Sequence, residues 1–400
     1  MRRPALFTLI VLLASAPGAA LSASAERGKY LAVAGNCGAC HTRPGGAPFA
    51  GGVAFDTPFG TIYSSNITPD ARTGIGRWSA ADLRRAMHEG IAADGSRLFP
   101  AFPYASYTRV TDADVDDIHA YLKTLKPVRY VPPDNSILFS MRWALAVWNR
   151  MYLKAGRFAP DPQKSAQWNR GAYLVEGLGQ CGACHTPRNA QMAELPDKAL
   201  QGGVIPGEVA PGKLRDWFAV NLTNARHGLA AWSEADLVRY FQTGVSPRGS
   251  TLGPMNEVVV HSLKHLTEAD LRGMAVYLKS LTSPAYAGPT VAAEETRLGE
   301  SIYTERCEEC HGPSGRGGFF TGPPVAASAI VQGENPATLI NVILYGSTVA
   351  RETAHSAWEK MPAYRDTLDD AEVAAISNFL RGSWGNRAAP VTAEDVRRQR

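Results

Sequence analysis

The six cysteines of this 400-residue chain fall as Cys37-Gly38-Ala39-Cys40-His41, Cys181-Gly182-Ala183-Cys184-His185 and Cys307-Glu308-Glu309-Cys310-His311, so every cysteine sits in a C-x-x-C-H motif. Two thiols at this spacing can each bond one vinyl group of a single haem, and the adjacent histidine then lies beneath the iron as its proximal ligand. One isolated C-x-x-C also suits a zinc site or a redox dithiol. Three copies, each followed by histidine and leaving no cysteine for a disulfide, favour three covalently bound haem c groups. On this reading Cys37, Cys40, Cys181, Cys184, Cys307 and Cys310 anchor the haems, and His41, His185 and His311 bind iron.

A haem that only carries electrons commonly has a second protein ligand, often methionine, whose thioether favours reduced iron. Met255 and Met361 suit that role, in the loops Gly253-Pro254-Met255 and Lys360-Met361-Pro362 ahead of the last helix of their repeats. The first repeat departs from this pattern. Its loop reads Phe99-Pro100-Ala101-Phe102-Pro103-Tyr104, with Phe102 where methionine is expected, and phenylalanine cannot bind iron. Aligning Gly90 with Gly244 sets Met87 opposite Phe241, so Met and Phe have exchanged places between the two repeats. Met87 is therefore the candidate sixth ligand of the first haem, against an open or otherwise ligated iron. His88, His119, Met141 and Met151 are weaker candidates.

Three repeated stretches must position these residues. Arg27-Gly28-Lys29-Tyr30-Leu31 before the first motif matches Arg170-Gly171-Ala172-Tyr173-Leu174 before the second, and Leu298 to Tyr303 plays that part before the third. Each reads as a short helix leading into its motif. Trp78-Ser79 with Asp82, and Trp232-Ser233 with Asp236, read as capping boxes that start a middle helix. Closing helices are expected over 111–125, 267–281 and 368–380; in the first, Val115, Ile118, Tyr121, Leu122 and Leu125 form an apolar stripe. With no alternating strand runs, each repeat reads as a small all-α domain. Residues 127–167 form a bridge whose aromatic and basic segment, Met141 to Leu153, suits either a membrane-surface helix or, preferably, packing across the first two domains. The run Gly315 to Gly318 follows no strand and reads as a loop over the cofactor, not a phosphate cradle.

Arg2 and Arg3, the apolar run Ala5 to Ala14 and the small residues up to Ala25 have the layout of an export signal, residues 1–25, cleaved after Ala25. No later stretch is apolar enough to cross a bilayer. With 41 basic and 37 acidic residues and a formal charge of +4, the chain has no basic block that would favour nucleic acid.

The stretch Asn169 to Gly177 running into Cys181 to Asn189, the Leu98 to Tyr104 loop, and Ser383-Trp384-Gly385-Asn386 resemble the triple-haem cytochrome c subunits of bacterial periplasmic dehydrogenases, which include alcohol-, gluconate-, sorbitol- and aldehyde-oxidising complexes. Members often carry methionine where this chain has Phe102. The resemblance implies an all-α fold of three tandem class I cytochrome c-like domains at 26–126, 168–283 and 294–386, followed by a tail at 387–400. It also implies a non-catalytic role, taking electrons from a catalytic dehydrogenase subunit with quinone, flavin or molybdenum cofactor and delivering them to ubiquinone or a terminal oxidase. The expected location is the periplasm, peripheral on the inner membrane. A haem enzyme with an open first iron and a free-standing electron shuttle are the alternatives.

Overall fold

The computed structural model describes residues 23–57, 59–137, 143–292, 296–318, 321–347, 358 and 360–400. Residues 1–22, which hold most of the expected export signal, and Met141 lie outside the described residues. Three runs of elements repeat. In the first, α1 (Ala25–Ala34) leads to α2 (Cys37–His41), then β1 (Ala54–Thr57), β2 (Gly60–Tyr63), α3 (Ala80–Glu89), α4 (Tyr104–Tyr107) and the closing α5 (Asp112–Thr124). The bridge carries α6 (Ala144–Tyr152). The second unit has α7 (Ala166–Tyr173), prolonged by a π-helical turn over Leu174–Leu178, then α8 (Gly182–His185), β3 (Gly203–Ala210) and β4 (Lys213–Ala219). It continues with α9 (Glu234–Thr243), β5 (Val245–Ser246), β6 (Gly249–Ser250), α10 (Met255–His261) and α11 (Glu268–Ser280). The third has α12 (Arg297–Arg306), α13 (Glu308–His311), α14 (Ala337–Tyr345), α15 (Asp370–Gly382) and α16 (Ala393–Gln399).

The fold is predominantly helical, and among the described residues three two-stranded antiparallel hairpins, β1–β2, β3–β4 and β5–β6, qualify the all-α expectation. They were invisible as strands because each is very short or, in β3–β4, interrupted by a register shift near Glu208. The helix starts follow the chemistry of their caps. Ser79 with Asp82, and Ser233 with Asp236, form the two reciprocal capping boxes, and Asp369 with Glu372 forms another at α15. Thr111 and Thr267 accept the N–H groups of Asp114 and Asp270.

In each unit the leading helix crosses the closing helix at a glycine. A Cβ on Gly28 would lie 1.8 Å from the Asp117 carbonyl oxygen, one on Gly171 would lie 1.9 Å from that of Gly273, and one on Gly299 would lie 2.1 Å from that of Ala375. Around the first two crossings Arg27 pairs with Asp114 and Asp117, and Arg170 pairs with Asp270. Val115, Ile118 and Leu122 are buried there, as their spacing requires. Near the other end of each closing helix a cation donates to the loop carbonyls before the middle helix: Lys123 to Gly76, Lys279 to Leu229 and Arg381 to Val331.

Three repeats yield two apolar cores. One joins the first two units, running from Leu31 to Leu122 and on through Ala172 to Leu278; the other belongs to the third unit alone. The third unit docks through polar contacts: Thr338 Oγ1 bonds both the N–H and the carbonyl of Phe218, and Asn341 donates to the Asp216 carbonyl at 2.8 Å. The stretch expected as a tail at 387–400 is instead folded. α16 starts at a Thr392–Asp395 capping box and packs on α15, with Val396 buried.

α6 ties the bridge to both neighbours. Asn149 donates to the Glu89 carbonyl and accepts the Tyr104 hydroxyl at 2.7 Å, while Trp148 donates to the Gln191 carbonyl at 2.9 Å. At the N-terminus, Ser24 caps α1 and its N–H donates to Asp117 at 2.6 Å, so the expected cleavage after Ala25 would remove both contacts.

Gly171→Ala must therefore push two helix backbones apart and should cost about 1–3 kcal/mol, measured as a lower urea midpoint. Gly156→Ala, where a Cβ meets nothing within 4 Å, should leave the midpoint unchanged.

Candidate haem sites

Each C-x-x-C-H stretch forms a short helical turn directly after its leading helix: α2, the turn ending in α8, and α13. The turn places both sulfurs and the imidazole on one side, and a backbone carbonyl fixes each ring. His41 Nδ1 lies 2.7 Å from the Ser65 carbonyl oxygen, His185 Nδ1 lies 2.6 Å from that of Val220, and His311 Nδ1 lies 2.8 Å from that of Pro323. A carbonyl can only accept, so Nδ1 carries the proton and Nε2 keeps its lone pair for a metal. Burial holds all three imidazoles below their ordinary pKa against the opposing pull of these hydrogen bonds.

The thiols lie in surroundings that disfavour the thiolate. Burial, reinforced by the partner cysteine, pushes Cys37 and Cys181 up to about 12. Cys40 and Cys307 rise to about 11, Cys40 through burial and the nearby Cys184. Redox C-x-x-C motifs lower a thiol instead. Among the described residues no disulfide joins any two of the six cysteines, and no three His, Cys, Asp or Glu side chains converge on a possible zinc position.

A cavity of about 1610 Å³ runs along the first two units, bounded by Cys40 of one motif and by Cys181, Cys184 and His185 of the other. It exceeds the roughly 300–1,000 Å³ of a pocket for one small ligand. Its walls are apolar, including Phe49, Tyr121, Trp232, Phe241 and Leu278. Paired thiols, a lone-pair nitrogen and an apolar slot fit haem attachment.

The candidate sixth ligands are placed differently. Met255 begins α10 after Pro254, packs on the shared core and lines the cavity. Met361 packs on the third core, and its carbonyl accepts the Ser347 N–H. Nearby Tyr364 donates to the Arg306 carbonyl at 2.9 Å, which draws this loop onto the third motif. Met87 is buried on α3 in the shared core, and its counterpart Phe241 on α9 lines the cavity. Phe102 packs against Tyr107 with the rings tilted, centroids 5.3 Å apart. Of the weaker candidates, His88 is buried 3.8 Å from Asp112, His119 bonds the Trp78 carbonyl and is half-buried, and Met151 is exposed. The glycine run wraps beneath the third motif, with Gly317 donating to the His311 carbonyl at 2.8 Å.

Sequence reasoning missed Asn66 and Asn221. Each accepts the backbone N–H and hydroxyl of the threonine two residues on and ties the loop carrying the histidine's carbonyl acceptor to the segment after the closing helix. The repeated Asn-x-Thr was the signal available.

The family described as "Cytochrome c" matches residues 25–126, and that described as "Cytochrome C oxidase, cbb3-type, subunit III" matches residues 294–380. The gluconate 2-dehydrogenase cytochrome c subunit of Pantoea cypripedii is 41% identical, with 93% of this chain and 88% of that protein covered. The cytochrome c subunit of a quinone-type alcohol dehydrogenase of Komagataeibacter europaeus is 38% identical, over 95% of this chain and 84% of that protein. A nicotinate dehydrogenase subunit of Pseudomonas putida is 42% identical over 90% of this chain, which spans only 30% of that relative's length. Two near-complete matches, carried by a chain whose motifs are built for haem, show that it belongs to the cytochrome c subunits of dehydrogenase complexes.

Proposed function

We propose that this chain carries three haem c groups and passes electrons from a catalytic dehydrogenase subunit to ubiquinone or a terminal oxidase. The observation that carries this reading is the same build at all three motifs, with paired thiols and a histidine whose Nδ1 is held by a carbonyl. Each haem would supply a one-electron iron couple. Cys37 with Cys40, Cys181 with Cys184, and Cys307 with Cys310 would hold the three groups. His41, His185 and His311 would bind iron from one side, with Met255 and Met361 opposite the second and third. The donor is a quinoprotein, flavoprotein or molybdenum hydroxylase subunit, as the family resemblance implies; the relatives' names give gluconate, alcohol and nicotinate dehydrogenases. Intact mass of exported protein should show three haems, and Cys181→Ala combined with Cys184→Ala should remove one and leave two.

For the first site the proposal is Met87 as sixth ligand, supported by its repeat position on α3, which on α9 is held by the cavity-lining Phe241. Phe102 in the usual methionine position favours the second reading, an open iron that binds small molecules such as peroxide. With Met87 bound, all three haems are low-spin; Met87→Ala converts one to high spin and Phe102→Ala converts none. A wild-type protein with one high-spin haem that readily binds carbon monoxide supports the open site instead.

Among the described residues no helix is long and apolar enough to cross a membrane. Peripheral attachment on the periplasmic face is the reading for location. It follows from the resemblance to periplasmic dehydrogenase subunits together with the absence of such a helix. The chain should sediment with anionic vesicles and be released by salt; a chain that stays in the supernatant at low salt would argue against it.

A further inference from the structure

The first two units exchange side chains in a reciprocal way. Tyr30 of α1 reaches the start of α11, where its hydroxyl donates to Asp270 Oδ2 at 2.6 Å and accepts the Thr267 N–H at 3.2 Å. Tyr173 of α7 does the same at the start of α5, donating to Asp114 Oδ2 and accepting the Thr111 N–H at 3.2 Å. Each aspartate is also gripped from its own unit: Asp114 by Arg27, and Asp270 by two Arg170 bonds of 2.8 Å. Tyr30 and Tyr173 hold the same repeat position, three residues after those arginines, and Asp114 and Asp270 each lie three residues after a helix cap. Residue i of one unit thus meets residue j of the other and j meets i, which is the mark of a two-fold interface, here formed within one chain.

A third link joins the motifs themselves. The Tyr107 hydroxyl donates to the Gly35 carbonyl at 3.1 Å and accepts Gln180 Nε2 at 3.0 Å. Gly35 lies just before Cys37 and Gln180 directly before Cys181. The third unit has no such exchange among the described residues and shares no apolar core with the others.

We propose that the two Arg–Asp–Tyr clasps fix the first and second haem sites as one electron-sharing pair, with Tyr30 and Tyr173 as positioning residues for exchange between them. The proposal rests on the reading that both sites hold haem. The step moves one electron from reduced iron at one site to oxidised iron at the other; no bond or proton changes, so no further reactant is needed. Such exchange depends steeply on separation and orientation, and rigid support holds both where a hinge would spread them.

The test uses full-length, haem-loaded protein carrying Tyr30→Phe and Tyr173→Phe, which keeps both rings and removes both hydroxyls. The readouts are haem content by mass, the Soret circular-dichroism couplet of neighbouring haems, and the rate at which electrons redistribute after pulsed reduction. The expected result is unchanged haem content and spin state, a weakened couplet and several-fold slower exchange between the first two sites. Each single variant should show a smaller effect, and these singles serve as the test if the double variant does not fold. Thr338→Ala, at the contact with the third unit, should leave couplet and rate as in wild type. Wild-type coupling and rate in the fully loaded double variant would overturn the clasp alone. Wild-type protein lacking haem at the first or second motif would overturn the reading of the sites and the proposal with it.

Discussion

A glycine laid against a helix backbone is the constraint on which the rest of this structure depends. At Gly28, Gly171 and Gly299 the leading and closing helices come so close that any side chain would overlap a carbonyl. That approach sets the spacing of the two helices, and the attachment motif continues from the end of the leading one. The closing helix then carries the constraint to its far end, where Lys123, Lys279 and Arg381 bond loop carbonyls in their own units. Helix crossing and cation latch together hold the chain around each motif. The histidine carbonyl acceptors, Ser65, Val220 and Pro323, sit in loops packed within that frame. Backbone groups, which substitution cannot remove, thus orient the imidazole in all three units and leave Nε2 its lone pair.

Much of this frame was legible because it repeats. Arg-Gly-x-Tyr before a C-x-x-C-H and a serine capping box, both written in the first two units, and a closing apolar stripe are local patterns, and the structure places each as read. What was not legible is what depends on distant partners. Nothing local marks Val204 or Lys213 as belonging to a hairpin, since β3 and β4 gain their order partly from α14 of the third unit. α16 looked like a tail because only seven residues form it, and its burial comes from α15 and the loops beside it. Tyr30 and Tyr173 were recognised as repeat landmarks, yet their partners lie 240 and 59 residues away in sequence.

The electrostatics of the reciprocal contact explain why aspartates can be buried there. Asp114 and Asp270 lose most of their water, and burying a carboxylate without partners is costly. Burial alone would raise the Asp270 carboxyl, but the Arg170 and Tyr30 hydrogen bonds hold it below its ordinary value. Hydrogen bonds to charged groups contribute about 1.5–3 kcal/mol each, enough to offset part of that desolvation. Because one arginine comes from the same unit and one tyrosine from the other, neither unit satisfies its aspartate fully alone. The shared core between the first two units follows from the same dependence, and the third unit, whose contacts are mainly hydrogen bonds to β4 and nearby loops, keeps its own core.

This division bears on why the departure from the methionine pattern falls in the first unit. In the second unit the loop before the closing helix presents Met255 to the cavity. In the first unit the equivalent loop also lines the cavity, through Phe99, Pro100, Ala101 and Pro103, but it runs into α4, whose tyrosines are engaged elsewhere. Tyr104 is fully buried and bonded to Asn149 of α6, while Tyr107 spans Gly35 and Gln180. Gly90, at φ 66°, fits only because it lacks a side chain against the Tyr104 ring. Phe102 fills space against Tyr107, a packing role that a flexible thioether directed at iron could not also serve. A loop committed to joining units is poorly free to position an axial sulfur. α3 is held by its capping box at one end and by the left-handed Gly90 at the other, and Met87 lies on its buried face.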